Sequence, residues 1–165
     1  METIEYINIA KAFEINDESL KKVESLVNDP LGYYDENIDK YEERGMENDN
    51  IDDILWIGLV DILIEDEIVF EFDNSVEYED FKYYMSVIDK DNILELDADV
   101  YDADETICEW LTISQKQAND KKASIGGIDI DSDSYCVFVS AKYKFDKLSE
   151  LAQLIGRRIV YADEL

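Results

Sequence analysis

The sequence contains no histidine among its 165 residues. That absence removes Ser-His-Asp and Cys-His catalysis and every His-ligated zinc or iron site. Cysteine is nearly missing too. Cys108 and Cys136 are too few for a Cys₃ or Cys₄ site, and two small buried residues are the expectation, with a disulfide between them left open. A single proline and six glycines leave little room for linkers. No apolar run approaches the ~18 residues of a membrane span. The stretch Met1-Glu2-Thr3-Ile4-Glu5 has neither a basic nor an apolar signal region, so a cytoplasmic location is expected. Phosphate-loop, dinucleotide and nucleophile-elbow patterns are absent, and Gly126-Gly127 is too short to cradle a phosphate.

What is abundant is apolar and acidic. Hydrophobic residues make up 46% and aromatics 12%, enough for a real core and unlike a disordered acidic chain. The formal net charge is −27, and it is unevenly placed. Residues 1–110 carry 34 acids against 7 bases, whereas residues 111–165 carry 8 of each. Such a field repels nucleic acid and draws in basic partners. Lys116, Lys121, Lys122, Arg157 and Arg158 are too few and too mixed with acids to reverse that.

Periodicity predicts a helix over 3–14 with Tyr6, Ile9, Ala10 and Phe13 on one face. A second is expected from an Asp17 cap, then a turn at 29–32 and a short helix from about Asp35 ending at Gly45. Asn50 is expected to cap a helix that is apolar nearly all round and therefore buried. Residues 68–73 alternate as a strand, and Ser75 is expected to cap the helix that follows. Residues 94–101 alternate as a strand with one acidic face, and Asp102 with Glu105 resembles a capping box for the next helix. The runs 125–130 and 135–141 flank Asp131-Ser132-Asp133-Ser134 as a hairpin, before a helix over 145–155, Gly156 and a short last strand. The class is α+β: a helical N-terminal half, and a small mixed or antiparallel sheet with helices packed on it. The expected organisation is a single domain, 1–165, with segment 1–48 packed on a 50–162 core.

Two constellations are chemically suggestive. Asp129, Asp131 and Asp133 match the first, third and fifth ligands of a calcium loop, but Ser134 and Ser140 stand where the glycine and the bidentate Glu belong. A divalent-metal site or metal-dependent activity there is the alternative reading. Asp97, Asp99, Asp102, Asp104 and Glu105 form a second cluster, read as an acidic edge that docks a basic protein with tyrosines supplying contact area. Trp56 and Trp110 lie on apolar helical faces and are expected in the core.

Several segments in order resemble a bacterial domain-of-unknown-function family. They are residues 55–61 running into Val69-Phe70-Glu71-Phe72-Asp73, Glu79-Asp80-Phe81, Glu109-Trp110-Leu111, residues 128–135, and Gly156-Arg157-Arg158-Ile159. The turn Glu65-Asp66-Glu67 departs from the Gly or Asn expected of relatives there. The resemblance implies a shared fold and carries over no activity, cofactor or catalytic residue. A looser likeness, in size and charge, is to acidic immunity proteins of bacterial competition systems. The expectation is therefore a non-enzymatic, cofactor-free protein that binds a basic protein, with a toxin as the partner implied by the second likeness.

Overall fold

Side chains that repeat every three or four residues dominate residues 3–65, and they build five helices there. The computed structural model describes residues 3–165, which fall into two compact units meeting at Asp66–Glu67.

In the first unit, α1 (Thr3–Ala12) buries Tyr6, Ile9 and Ala10, with Phe13 just beyond it. Helix α2 (Asp17–Asn28) is capped by Asn16, whose side chain accepts from the Glu18 and Ser19 amides. The cap is one residue earlier than expected, and Asp17 instead places charge in the first turn, where the helix dipole favours it. Residues 29–32 are not a turn. Asp29 accepts from the Gly32 amide and Pro30 opens α3 (Pro30–Glu36), because proline costs nothing at a first helical position that has no amide partner. Helix α4 (Ile38–Glu43) follows, and Gly45 just after it has φ +68°.

Helix α5 (Ile51–Glu65) is capped by Asn50 and carries Asp52 and Asp53 in its first turn. Nine of its residues are buried, on all sides of the helix. The Tyr41 hydroxyl donates to the Ile54 carbonyl at 3.1 Å, and Gly58 leaves the space that this hydroxyl and Leu26 fill. Polar contacts tie the ends. Asp66 accepts from the Ser19 hydroxyl at 2.7 Å, and Glu65 pairs with Lys22 at 2.8 Å and with Lys40. Those hydrogen bonds and charges hold the Glu65 carboxyl below its ordinary range. Burial pushes the Tyr33 phenol up to about 12.

The second unit is built on strands β1 (Val69–Phe72), β2 (Ala123–Ile128), β3 (Tyr135–Ala141) and β4 (Ile159–Tyr161). All pairings are antiparallel, in the order β1-β3-β2-β4. The hairpin expected from the runs 125–130 and 135–141 forms, with its first strand two residues earlier, at 123–128. Helix α6 (Tyr78–Ile88) and helix α7 (Ile107–Asp120) share a core with one sheet face, in which Phe81, Met85, Trp110 and Leu111 meet Phe72, Ile125 and Val137. Helix α8 (Lys142–Leu154) lies on the other face, where Phe145 stacks on Tyr161 at 4.6 Å and reaches Phe138 at 6.5 Å. Gly156, at φ +70°, ends it as expected.

Four local expectations are corrected. The α6 helix is not capped by Ser75, because the Asp73 carboxylate takes both the amide and the hydroxyl of Ser75 at 2.6 Å. Residues 94–101 are not a strand: Glu95 is left-handed at φ 41° and a short 3₁₀ turn occupies Ala98–Val100. The capping box is Thr106 with Glu109 rather than Asp102 with Glu105. Cys108 is exposed and Cys136 buried, and both are free thiols. Trp56 and Trp110 are core residues at 2% exposure. No helix among the described residues is long and apolar enough to cross a membrane.

Glu67 adopts φ 55°, which is the conformation that accounts for Gly or Asn being expected there. A left-handed non-glycine residue costs ~1–2 kcal/mol. Glu67→Gly is therefore expected to stabilise by about 1 kcal/mol in urea titration, after the extra unfolded-state entropy of glycine is subtracted.

Candidate binding pocket and acidic rim

Helix α6 ends at Asp89, and the chain then folds back over it. Asp89 is only 8% exposed. Its carboxylate accepts from the Ile93 and Leu94 amides, both at 2.9 Å. Asn92 and Glu95 take left-handed conformations at φ 53° and 41°, and the Lys121 ammonium donates to the Leu94 carbonyl and, at 2.8 Å, to the Glu95 carbonyl. An anion and a cation thus grip one short loop from opposite sides. Backbone held this way in sparsely populated regions is over-determined by its surroundings.

The loop leaves a pocket of about 190 Å³ against α6. Tyr78, Phe81 and Met85 line the helix side, and Leu94, Leu96 and Tyr101 the loop side. Tyr78 and Tyr101 lie with ring centroids 5.6 Å apart, and Trp110 stands 5.3 Å from Tyr78. The Ser114 hydroxyl donates to the Trp110 carbonyl at 2.7 Å. Its oxygen therefore accepts from the Tyr101 hydroxyl, also at 2.7 Å. Burial raises both the Tyr101 and Tyr78 phenols above their usual range, so both are neutral donors at physiological pH.

The candidate docking acids run along this loop. Asp97 caps the 3₁₀ turn, accepting from the Asp99 amide at 3.0 Å, and its own amide is held by Gln117 at 2.7 Å. Asp97 and Asp99 flank Ala98, which lines the pocket beside Glu95. Asp102 accepts from the Asp104 amide at 3.0 Å, and Asp104 and Glu105 follow in the turn before α7. All five are exposed. The Asp89 carboxylate is engaged by two backbone amides, and the five docking acids face water.

Asp129, Asp131 and Asp133 sit at the β2–β3 hairpin. Asp129 is ion-paired with Arg158 at 2.6 Å and also accepts from the Asp131 amide at 3.0 Å. Asp131 is left-handed at φ 57°, and the Asp133 carbonyl accepts from the Asn74 side-chain Nδ2 at 3.0 Å. Among the described residues no group of three or more Cys, Asp or Glu side chains is arranged to hold a metal ion.

A family model described as a domain of unknown function, DUF6630, matches residues 5–162. The chain belongs to that family. No curated protein and no solved structure matches it. The family match covers both units, so the segments quoted from the sequence, spanning roughly 50–160, understated its reach at the N-terminal side.

Sequence reasoning missed the pocket itself. Asp89 is not singled out by its sequence context and Lys121 counts there only as one of a few scattered bases, because an Asp after one helix and a Lys after another look like ordinary solvated charges. The available signal was local: Asp89-Lys90-Asp91-Asn92 is dense in residues that bond nearby backbone and tolerate left-handed conformations.

Proposed function

We propose that this protein is a non-enzymatic binding module of the cytoplasm that captures a basic protein partner, in the way an immunity protein covers a basic toxin. The observation that carries the reading is the loop from Glu95 to Glu105, where six exposed carboxylates fall within eleven residues with no base among them. Next to it lies an apolar pocket with two tyrosines in its wall. Steering charge beside a desolvated anchor point is what a fast and selective protein interface needs.

Within the same unit, the exposed Glu77, Glu79, Asp80 and Asp91 add to the field. At ~0.1 M salt the Debye length is about 10 Å, so charges this dense act together near the surface and fade beyond it. The experiment recovers the partner from the native cell at low salt and then measures its association rate with the purified chain. The expected result is a partner of basic isoelectric point whose association rate falls tenfold or more between about 20 and 300 mM salt. A rate flat across that range overturns the reading, and so does an acidic partner.

A further inference from the structure

The pocket against α6 is too small for a free organic ligand of ordinary size. Its 190 Å³ lies below the ~300–1,000 Å³ of typical small-molecule sites, so it has room for one side chain. Its character changes along its depth. Phe81, Met85 and Leu94 are buried at its base, and Glu95 stands at its mouth, 82% exposed. Asp97 and Asp99 follow immediately along the same loop. An apolar side chain would fill the base and leave Glu95 with only the long ion pair it makes with Lys121 at 3.9 Å. An acidic one would be repelled. A long aliphatic stem ending in a cation satisfies both regions.

The protein already places one cation at this site. Lys82 lines the pocket. Its ammonium sits 5.6 Å from the Tyr78 ring centroid and pairs with Glu79 at 2.7 Å. Both Lys82 and Glu79 are largely exposed, at 50% and 78%, so this contact is weak and readily exchanged.

We propose that the pocket receives one arginine side chain of the basic partner, its stem against Met85 and Leu94 and its guanidinium between the tyrosine faces and the carboxylate of Glu95, with Asp97 next along the loop adding to the field. The inference rests on the binding reading above and names the residue chemistry that reading recognises. Arginine suits the site better than lysine because a planar guanidinium stacks on tyrosine while donating two N–H bonds to a carboxylate. Lys82 then acts as a resident cation that must swing off Tyr78 when the arginine enters.

The test uses the full chain with ¹³C-methyl methionine, so that Met85 reports from inside the pocket. The probes are the peptide acetyl-Gly-Ser-Arg-Ser-Gly-amide and its analogues with citrulline or norleucine at the centre. The arginine peptide is expected to shift the Met85 methyl saturably, with the citrulline and norleucine peptides at least fivefold weaker. Lys82→Met is expected to tighten the arginine peptide at least threefold. Lys147→Met makes the same charge change at an exposed position of α8, which does not line the pocket, and is expected to leave affinity unchanged.

Equal binding of citrulline or norleucine overturns the proposal. So does an unchanged affinity in Lys82→Met, or no saturable Met85 shift at tens of millimolar peptide. If the peptide fails while the captured partner still associates with a salt-dependent rate, the pocket assignment falls and the binding reading stands. If the captured partner is acidic or salt-insensitive, the reading itself falls.

Discussion

Gly126→Ala is expected to destabilise the sheet unit by roughly 3 kcal/mol, at the upper end of what overpacking a core costs. The reason is a close approach, since Gly126 does not have a left-handed backbone. Gly126 on β2 lies directly opposite Phe138 on β3 and Tyr161 on β4, and opposed residues of an antiparallel sheet share a face. The Phe138 ring lies down across the space a side chain would fill, so an added Cβ would sit 2.1 Å from its Cζ and 2.3 Å from Cε1. Real contacts are far longer, so the ring must move. It is 1% exposed and faces Phe145, which is itself stacked on Tyr161. Moving it displaces a row of three aromatics under α8.

Urea unfolding followed by tryptophan fluorescence measures the effect, and Trp56 and Trp110 lie in different units. A Trp56→Phe background leaves Trp110 as the reporter of the sheet unit. In that background the Gly126→Ala midpoint should fall without a change in slope, and the melting temperature should drop by about 10 °C. Phe138→Leu supplies the check. It removes the ring that occupies the space, so the double variant should lose clearly less than the sum of the two single losses. Strict additivity would mean that the cost of the alanine comes from somewhere other than Phe138.

The same sheet shows why some of this fold was legible in the sequence and some was not. Strands 69–72 and 135–141 were readable because each is flanked by turn residues and rich in β-branched or aromatic side chains, whereas the strand expected at 125–130 lies two residues earlier, at 123–128, where only Ile125 and Ile128 are β-branched. Helix α5 was readable because its apolar residues cover every side. Residues 94–100 alternate just as well but form no strand. Alternation reports only which side chains are buried, and Leu94 and Leu96 are drawn toward α6 by a loop whose path is set by Asp89 and Lys121, one at the end of α6 and the other after α7. The caps shifted because polar side chains compete locally for backbone amides: Asn16, one residue before Asp17, takes the Glu18 and Ser19 amides, Asp73 takes the Ser75 amide so that α6 starts after Glu77 with no side-chain cap, and the capping box falls four residues later, at Thr106 with Glu109. The acidic candidates were visible because charge is a property of composition. The pocket beside them was not, since it exists only where α6 meets a loop folded back on it.

Asp89→Ala is the second large effect, and it separates the pocket from the charge around it. The substitution removes the acceptor of two amides, and Leu94, which carries one of them, is 2% exposed. Losing charge-assisted bonds that leave a buried amide unpaired costs ~2–3 kcal/mol. The left-handed conformations of Asn92 and Glu95 are then held only by Lys121 and by the Asn92 amide on the Asp89 carbonyl, so the loop is expected to open locally before the unit unfolds. Hydrogen exchange at Ile93 and Leu94 should accelerate by about two orders of magnitude, while the β2 and β3 amides keep their protection in mild conditions. Asp89→Asn keeps one side-chain oxygen but turns an amide group toward the second N–H, so its loss should be intermediate. The acids from Glu95 to Glu105 remain in both variants. If affinity for a basic partner depends on the shaped pocket, Asp89→Ala should raise the dissociation rate of the complex and leave the salt-dependent association rate almost unchanged, because steering acts through charge and retention through the fitted site. A fall in association rate with dissociation unaltered would place the recognition on the acidic field alone, and unchanged exchange at Ile93 and Leu94 would show that Lys121 suffices to hold the loop.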